Sequence, residues 1–150
     1  MSTHTATIQW VRGDSSFRDS RYRREHVWKF DGGTTVVASA SPLRVPTPLS
    51  TEAAVDPEEG FVAALSSCHM LWFLAFAAQE GLELDSYVDE ASGLLEADPQ
   101  GWWSMTQVVL RPKVTAAVMP ERQVLEKLHH RAHESCFLAR SVKCAIRVEL

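Results

Sequence analysis

The chain has 150 residues, 45% of them hydrophobic and 23% charged, which is typical of one globular domain or of one protomer in a small oligomer. Its formal net charge is −4, and it has no basic stripe. This composition argues against a nucleic-acid or membrane-surface partner, because both kinds of partner are polyanionic. Residues 1–7 are polar and lack the basic-then-apolar pattern of a secretory signal. Three widely spaced cysteines form a poor disulfide framework, so we expect a cytoplasmic protein with one or two reactive thiols.

Three strands are predicted in the first forty residues, at 5–11, 25–30 and 34–40, and the third of them is rich in β-branched side chains. The sequence Asp31-Gly32-Gly33 predicts a turn between the second and third strands. Residues 41–55 contain three prolines and are predicted to form a loop. A loop of this length inside a compact domain is usually functional or mobile.

A long helix is predicted to begin at Asp56, with Pro57 at its first position and Glu59 at the spacing of a capping box. Residues 60–78 form an uncharged stretch that is just long enough to span a bilayer. However, polar residues lie at the middle of this stretch, and its N-terminal flank is acidic. We therefore interpret it as the buried central helix of a protein core that ends at Gly81.

The second half of the chain is predicted to contain a hairpin, a helix and a strand. Residues 87–96 and 102–116 flank the turn sequence at 98–101, Pro120 opens a helix that ends near Ser135, and the last residues alternate between apolar and polar. The apolar set is Val142, Cys144, Ile146, Val148 and Leu150. The order is β-β-β-α-β-β-α-β, with room for a short extra helix after the first long helix. This order indicates a single α+β domain over residues 1–150.

The three cysteines have different predicted environments. Cys144 lies on the apolar face of the last strand and is interpreted as a packing residue. Cys68 lies in the third turn of the long helix among apolar positions, where a thiol is inert unless a cation stabilises its thiolate. Cys136 follows the second helix, whose end is expected to fray and expose it.

A metal site is the competing interpretation of the second helix. His129, His133 and Cys136 share one helical face, and Cys68 with His69 could add ligands. Structural zinc sites usually combine closely spaced ligand pairs from two segments, and that pattern is missing here. We therefore expect no bound metal.

Two segments carry a resemblance to a known family. The sequence from Asp56 to Cys68 resembles the Asn-Pro-Glu-Glu/Gln segment of the OsmC/Ohr family, which leads to the peroxidatic cysteine, and Ala132 to Cys136 resembles the second motif, Ala-His-x-x-Cys. The resemblance implies an OsmC-like fold with two long central helices packed against sheets in an intertwined homodimer. It also implies a peroxidase in which Cys68 attacks the peroxide and Cys136 resolves the sulfenic acid as a disulfide. No bound cofactor is implied, and an external dithiol of the lipoyl or thioredoxin type is the expected reductant.

The family further implies an arginine that stabilises the thiolate and a glutamate that orients this arginine. Glu58 matches the family position of the glutamate, and Arg24 is our choice for the arginine, with Arg21 and Arg23 as alternatives. Ten residues of helix place Glu58 roughly 15 Å from Cys68 along the axis. We therefore expect Glu58 and its arginine to serve the cysteine of the partner subunit.

The apolar surroundings of Cys68 favour an organic hydroperoxide over hydrogen peroxide as substrate. The candidate substrate-binding residues are Phe61, Leu65, Trp72, His26 and His69. The chain departs from the family pattern at His69, where an aromatic residue is common, and at Phe137, where a proline is common. The alternative function is a non-enzymatic OsmC-like module that binds an apolar ligand or a metal.

Overall fold

The computed structural model describes residues 1–150, which form two compact units, residues 1–60 and residues 61–150. The first unit contains an antiparallel sheet in the order β1-β2-β3. Its strands are β1 (Ala6–Gln9), β2 (His26–Phe30) and β3 (Thr35–Ala38). All three predicted strands are therefore confirmed, although each is shorter than expected. That the chain folds as one domain stays a prediction.

The proline-rich stretch after β3 is a loop, as predicted, and backbone hydrogen bonds tie its end to β3. The N–H of Ser39 donates to the carbonyl of Val55, and the N–H of Val55 donates to the carbonyl of Val37. The loop also accepts a hydrogen bond from the segment before β2: the N–H of Arg24 donates to the carbonyl of Leu49. These bonds fix the position of the residues that immediately precede the first helix.

Helix α1 (Pro57–Gln79) begins with the predicted capping box. The N–H of Glu59 donates to a carboxylate oxygen of Asp56 at 2.8 Å, and the N–H of Asp56 donates to the carboxylate of Glu59 at 3.0 Å. The helix ends where Gly81 adopts a φ of +75°, a left-handed conformation that glycine reaches without steric cost. Both predicted boundaries of α1 are confirmed.

The second unit contains two sheets. Strands β4 (Ser86–Asp89) and β7 (Pro112–Thr115) form an antiparallel pair, while β5 (Ser92–Ala97), β6 (Trp103–Leu110) and β8 (Ala145–Val148) form the other sheet. In this second sheet, β6 pairs antiparallel with β5 and parallel with β8.

The predicted hairpin is confirmed between β5 and β6, but each of its two predicted arms is split into two strands. A carboxylate oxygen of Asp89 accepts the backbone N–H of Arg111 at 2.6 Å, at the point where both arms break. A side chain has taken the place of a ladder hydrogen bond there, so the chain leaves one sheet and enters the other.

Helix α2 (Arg122–Ser135) begins two residues after Pro120 and ends at the predicted residue. No helix lies between α1 and β4, where the sequence left room for one, because Leu82 and Leu84 alternate with exposed residues in an extended segment. The short helix of this unit is a 3-10 turn at Ala139–Ser141, between α2 and β8.

Two apolar clusters form the core of the second unit. Phe73 and Ala77 of α1 pack with Leu128 and Ala132 of α2 in the first cluster. In the second cluster, Leu65 of α1 packs with Val108 and Leu110 of β6 and with half-buried residues of the last segment, Val142, Cys144, Ile146 and Val148. The predicted alternation is thus confirmed for these four residues. It is wrong for Leu150, which lies beyond the end of β8 and is 47% exposed.

Helix α1 is long and apolar enough to cross a membrane by length and composition, and 22% of its most apolar window is buried within the chain. A core helix passes the same test, so this is weak support for a membrane span. The fully buried residues of α1 form a single stripe: Leu65, His69, Phe73 and Ala77. Its own chain therefore covers one face of α1 and leaves the rest partly or fully exposed.

Candidate active site

The thiols of Cys68 and Cys136 are in contact in the second unit. Cys68 is half-buried on α1, and Cys136 is the first residue after α2. Burial, together with the neighbouring Cys68 thiol, raises the pKa of the Cys136 thiol, while the N–H of Ala139 opposes this shift. No disulfide joins the two cysteines in this structure.

Cys136 is buried, with 1% of its surface exposed, and the prediction of an exposed, frayed cysteine is wrong. The chain does not leave α2 freely but turns over the thiol. The N–H of Ala139 donates to Sγ of Cys136 at 3.4 Å, and the N–H of Arg140 donates to its carbonyl at 3.2 Å. The 3-10 turn therefore shields the thiol that the sequence motif placed at a helix end.

Three predicted substrate-binding residues lie on α1 near Cys68. Leu65 is buried in the second apolar cluster, and Phe61 is half-buried against it. Trp72 is half-buried and packs edge-on against Phe137, which follows Cys136, at a centroid distance of 5.4 Å. Trp72 and Phe61 therefore retain apolar surface that Leu65 lacks. Their contact with a substrate stays a prediction.

His69, the fourth of these residues, forms a buried pair with His129 of α2. Its Nε2 lies 3.0 Å from Nδ1 of His129, and the two rings are almost parallel, with an interplanar angle of 2°. Phe73 stacks on His129 at 4.1 Å. Burial lowers the pKa of each imidazole to about 4, so both rings are neutral near pH 7.

The surroundings of this pair include a carboxylate that sequence reasoning missed. Asp89 accepts a hydrogen bond from the hydroxyl of Ser66 on α1, and it opposes the lowering of the His69 pKa. The nearby Tyr87 hydroxyl is buried without a partner, and burial raises its pKa. Nδ1 of His69 is likewise buried without a partner. No local pattern in the sequence signals this cluster, since β4 lies about twenty residues from His69.

His129 also borders a cavity of about 310 Å³ between α2 and the end of the chain. The cavity is lined by Glu126, His129, His130, His133, Ile146, Val148 and Leu150. No three His, Cys, Asp or Glu side chains in the chain are arranged to hold a metal ion. The histidines of α2 therefore act here as a buried hydrogen-bonding group and a polar cavity wall.

The predicted arginine and His26 belong to the first unit. Nη1 of Arg24 donates to the carbonyls of Ser20 and Tyr22, and its guanidinium lies 4.1 Å from the centre of the Tyr22 ring. His26 accepts the indole N–H of Trp28 at Nε2, so its proton is on Nδ1, which donates to the carbonyl of Arg24. Arg24 is thereby held half-buried, whereas Arg21 and Arg23 are exposed.

Glu58, in the first turn of α1, is half-buried, and neither it nor Arg24 forms an ion pair within the chain. The structure thus brings together Cys68, Cys136 and the neighbouring residues of α1 in the second unit. The roles of Arg24, Glu58 and His26 stay predictions.

Comparison with known proteins identifies the family. The model of the OsmC-like protein family matches residues 50–150. An OsmC-like protein of unknown function from Vibrio cholerae O1 biovar eltor is 53% identical in sequence, with 99% of each chain covered and a TM-score of 0.94. The organic hydroperoxide resistance protein OhrB of Bacillus subtilis shares the fold at 18% identity, with 99% of this chain and 98% of that chain covered and a TM-score of 0.66.

A curated relative, the uncharacterized protein YmaD of Bacillus subtilis, is 21% identical over 130 residues, which cover 85% of this chain and 84% of that protein. The predicted α+β fold and the predicted resemblance are both confirmed by these matches. The chain belongs to the OsmC-like protein family.

Proposed function

We propose that this protein is a thiol-dependent peroxidase that reduces organic hydroperoxides. The observation that carries the proposal is the contact between the thiols of Cys68 and Cys136. Two reduced cysteines from different helices meet there in a fold shared with organic hydroperoxide resistance proteins. Such a pair is suited to accept two electrons from a dithiol and pass them to a peroxide.

The reaction proceeds in three balanced steps. The thiolate of Cys68 attacks the terminal oxygen of ROOH and the O–O bond breaks, which gives a Cys68 sulfenic acid and an alkoxide that takes up a proton to become ROH. The Cys136 thiol then attacks the sulfenic sulfur, which forms the disulfide and releases water. Finally, an external dithiol of the lipoyl or thioredoxin type reduces the disulfide by exchange and becomes a disulfide itself. No bound cofactor takes part.

The attacking thiolate needs a positive charge nearby, and we assign this role to Arg24, oriented by Glu58, from the partner subunit of a homodimer. Glu58 lacks an ion pair in its own chain and lies roughly 15 Å along α1 from Cys68. The apolar surface that the chain leaves uncovered on α1 supports burial against a second copy.

The substrate class follows from the side chains around the thiols. Trp72 and Phe61 are half-buried on the same helix as Cys68, and Phe137, which follows Cys136, packs against Trp72. An apolar wall binds an alkyl or aryl tail, which hydrogen peroxide lacks. We therefore expect cumene hydroperoxide to be reduced faster than hydrogen peroxide. The expected location of this activity is the cytoplasm, where dithiol reductants are maintained.

Steady-state consumption of cumene hydroperoxide with dihydrolipoamide as reductant tests the proposal. We expect Cys68→Ser to lower the rate by about 10³-fold or more, because the nucleophile is lost. With one equivalent of hydroperoxide and no reductant, Cys136→Ser should retain a Cys68 sulfenic acid that a dimedone probe traps, whereas the wild-type protein should form the disulfide instead. Cys144→Ser is the matched control and should keep the full rate. Wild-type protein that consumes no hydroperoxide and keeps three free thiols would favour the non-enzymatic module instead.

A further inference from the structure

The two helices that carry the thiols are joined by one buried side-chain hydrogen bond, between His69 and His129. His69 directly follows Cys68 on α1, and His129 lies seven residues before Cys136 on α2. Seven residues are about two helical turns, so His129 and Cys136 lie on the same face of α2. The imidazole pair and the thiol pair therefore bridge the same helix–helix interface, next to each other on α1 and about two turns apart on α2.

Building on the proposed disulfide chemistry, we propose that His69 and His129 are positioning residues: their hydrogen bond holds Cys136 against Cys68 for disulfide formation, and protonation of the pair releases this hold. Neutral imidazoles can bond to each other because one ring nitrogen donates and the other accepts. A protonated imidazole only donates, so two protonated rings cannot share the bond and repel each other.

The packing makes the bond the sensitive element of this interface. Both rings are buried, with 1% of His69 and 3% of His129 exposed, and Phe73 stacks on the second ring. Nδ1 of His69 has no partner, so the bond to His129 is the one side-chain hydrogen bond of the His69 ring. His129 also lines the cavity between α2 and the end of the chain.

The charged and titratable groups around the pair do not remove this dependence on protonation. His133 disfavours a charge on His69, whereas Asp89 favours it. The Tyr87 hydroxyl stays protonated throughout, because burial raises its pKa. The cavity beside His129 is bordered by three further titratable side chains: Glu126, His130 and His133. Burial is the largest cause of the lowered pKa of about 4 at both imidazoles, so the pair is neutral at pH 7 and becomes charged as the pH falls towards 4.

The test uses 4,4′-dithiodipyridine, which reacts with thiols from neutral to acidic pH and involves no peroxide. In a Cys144→Ser background, the first thiol forms a mixed disulfide and releases one thiopyridone. The second thiol then displaces another thiopyridone and closes the Cys68–Cys136 disulfide. The rate of this second release does not depend on reagent concentration and reports how well the two thiols are positioned.

Two double variants separate the effect of the hydrogen bond from the effect of imidazole protonation. His69→Gln with His129→Asn places an amide donor and an amide acceptor near Nε2 and Nδ1, so it should keep the bond at every pH. His69→Phe with His129→Phe keeps the ring stack and removes the bond.

At pH 7 we expect the Gln/Asn protein to close the disulfide at nearly the wild-type rate, and the Phe/Phe protein at least about tenfold more slowly. Between pH 6.5 and 4, the ratio of the wild-type rate to the Gln/Asn rate should fall by at least about twofold, because each imidazole is half protonated at its pKa of about 4. A flat ratio together with a normal Phe/Phe rate would overturn the proposal.

If the Gln/Asn protein does not fold, the wild-type ring provides a second measurement. The midpoint at which disulfide closure slows should coincide with the midpoint of the His129 imidazole titration followed by NMR, and a difference of more than one pH unit would overturn the proposal. Because no peroxide is used, a protein that closes the disulfide in this way but does not consume hydroperoxide would refute the proposed function alone.

Discussion

Helix α1 carries the Cys68 thiol and helix α2 leads directly to Cys136, but the two helices present very different surfaces. Apart from its first turn, α1 has no charged residue, and it buries one stripe of side chains within the chain. In α2 the buried residues face α1, while the opposite face is charged and forms ion pairs such as Arg122–Glu126. The chain therefore buries the apolar face of α2 and leaves the apolar surface of α1 incompletely covered. This difference supports our proposal that the Cys136 thiol is placed by its own chain, whereas the environment of Cys68 is completed by a second copy.

The largest expected effect on stability is at the buried face of α1. Phe73 is fully buried, and it packs on the first apolar cluster and on the ring of His129. Phe73→Ala should therefore lower the free energy of unfolding by about 3–5 kcal/mol. Urea unfolding at fixed protein concentration measures this loss. A loss below about 1 kcal/mol would show that the α1–α2 contact is not a packed core.

A smaller effect should come from pH, through the pair that joins the two helices. The pKa of His69 and of His129 is about 4 in the folded protein and 6.5 in the unfolded chain, so the unfolded chain binds more protons between these values. The stabilisation is therefore complete above pH 6.5 and is lost as the pH falls towards 4. We expect the free energy of unfolding to fall by roughly 3 kcal/mol over this range for each imidazole that takes up protons in this way.

Urea unfolding at pH 7 and pH 4 measures this change. The protein with His69→Gln and His129→Asn should lose most of the pH dependence, since neither amide titrates. An unchanged pH dependence in that variant would place the responsible groups elsewhere.

The uncovered face of α1 offers the next test, through Leu71, which is 61% exposed within the chain. If a second copy covers this face, Leu71→Ala removes roughly 2 kcal/mol of apolar burial from each protomer. The two copies of the substitution together should change the dissociation constant of a symmetric homodimer by about 10³-fold. Analytical ultracentrifugation over a concentration series measures it. Glu126→Ala on the exposed face of α2 is the matched control and should leave the association unchanged. Equal dissociation constants for all three proteins would contradict the comparison of the two helices.

The smallest expected effect is at the start of α1. Asp56→Ala removes the side chain that accepts the N–H of Glu59, and it should lower the free energy of unfolding by about 1 kcal/mol. Asp56→Asn keeps an acceptor oxygen and should lose less than half of that amount. Both values come from urea unfolding, and equal losses in the two variants would assign the effect to charge instead of capping.

The parts of the fold that sequence predicted correctly are those determined by neighbouring residues. Asp56 and Glu59 are three residues apart, so the capping box and the start of α1 could be derived from their spacing. The alternation from Val142 to Val148 likewise identified the buried face of the last segment. The two family motifs identified the cysteines, and the structure shows that these thiols are in contact.

The parts that sequence did not predict depend on residues far apart in the chain. His69 and His129 are sixty residues apart, and no periodic pattern links them. The break in the predicted hairpin depends on one side chain, Asp89, that bonds to the backbone of the opposite arm. The burial of Cys136 was missed because the 3-10 turn that covers it has no distinctive sequence signal.

The central claim is that Cys68 and Cys136 form a redox pair, and disulfide mapping after a single oxidation tests it most directly. Reduced protein is mixed with one equivalent of cumene hydroperoxide, alkylated, digested and analysed by mass spectrometry. We expect a peptide pair joined through Cys68 and Cys136, with Cys144 alkylated and the intact mass lowered by two hydrogens. Protein that consumes the hydroperoxide but yields no Cys68–Cys136 link, or a link through Cys144, would contradict the claim.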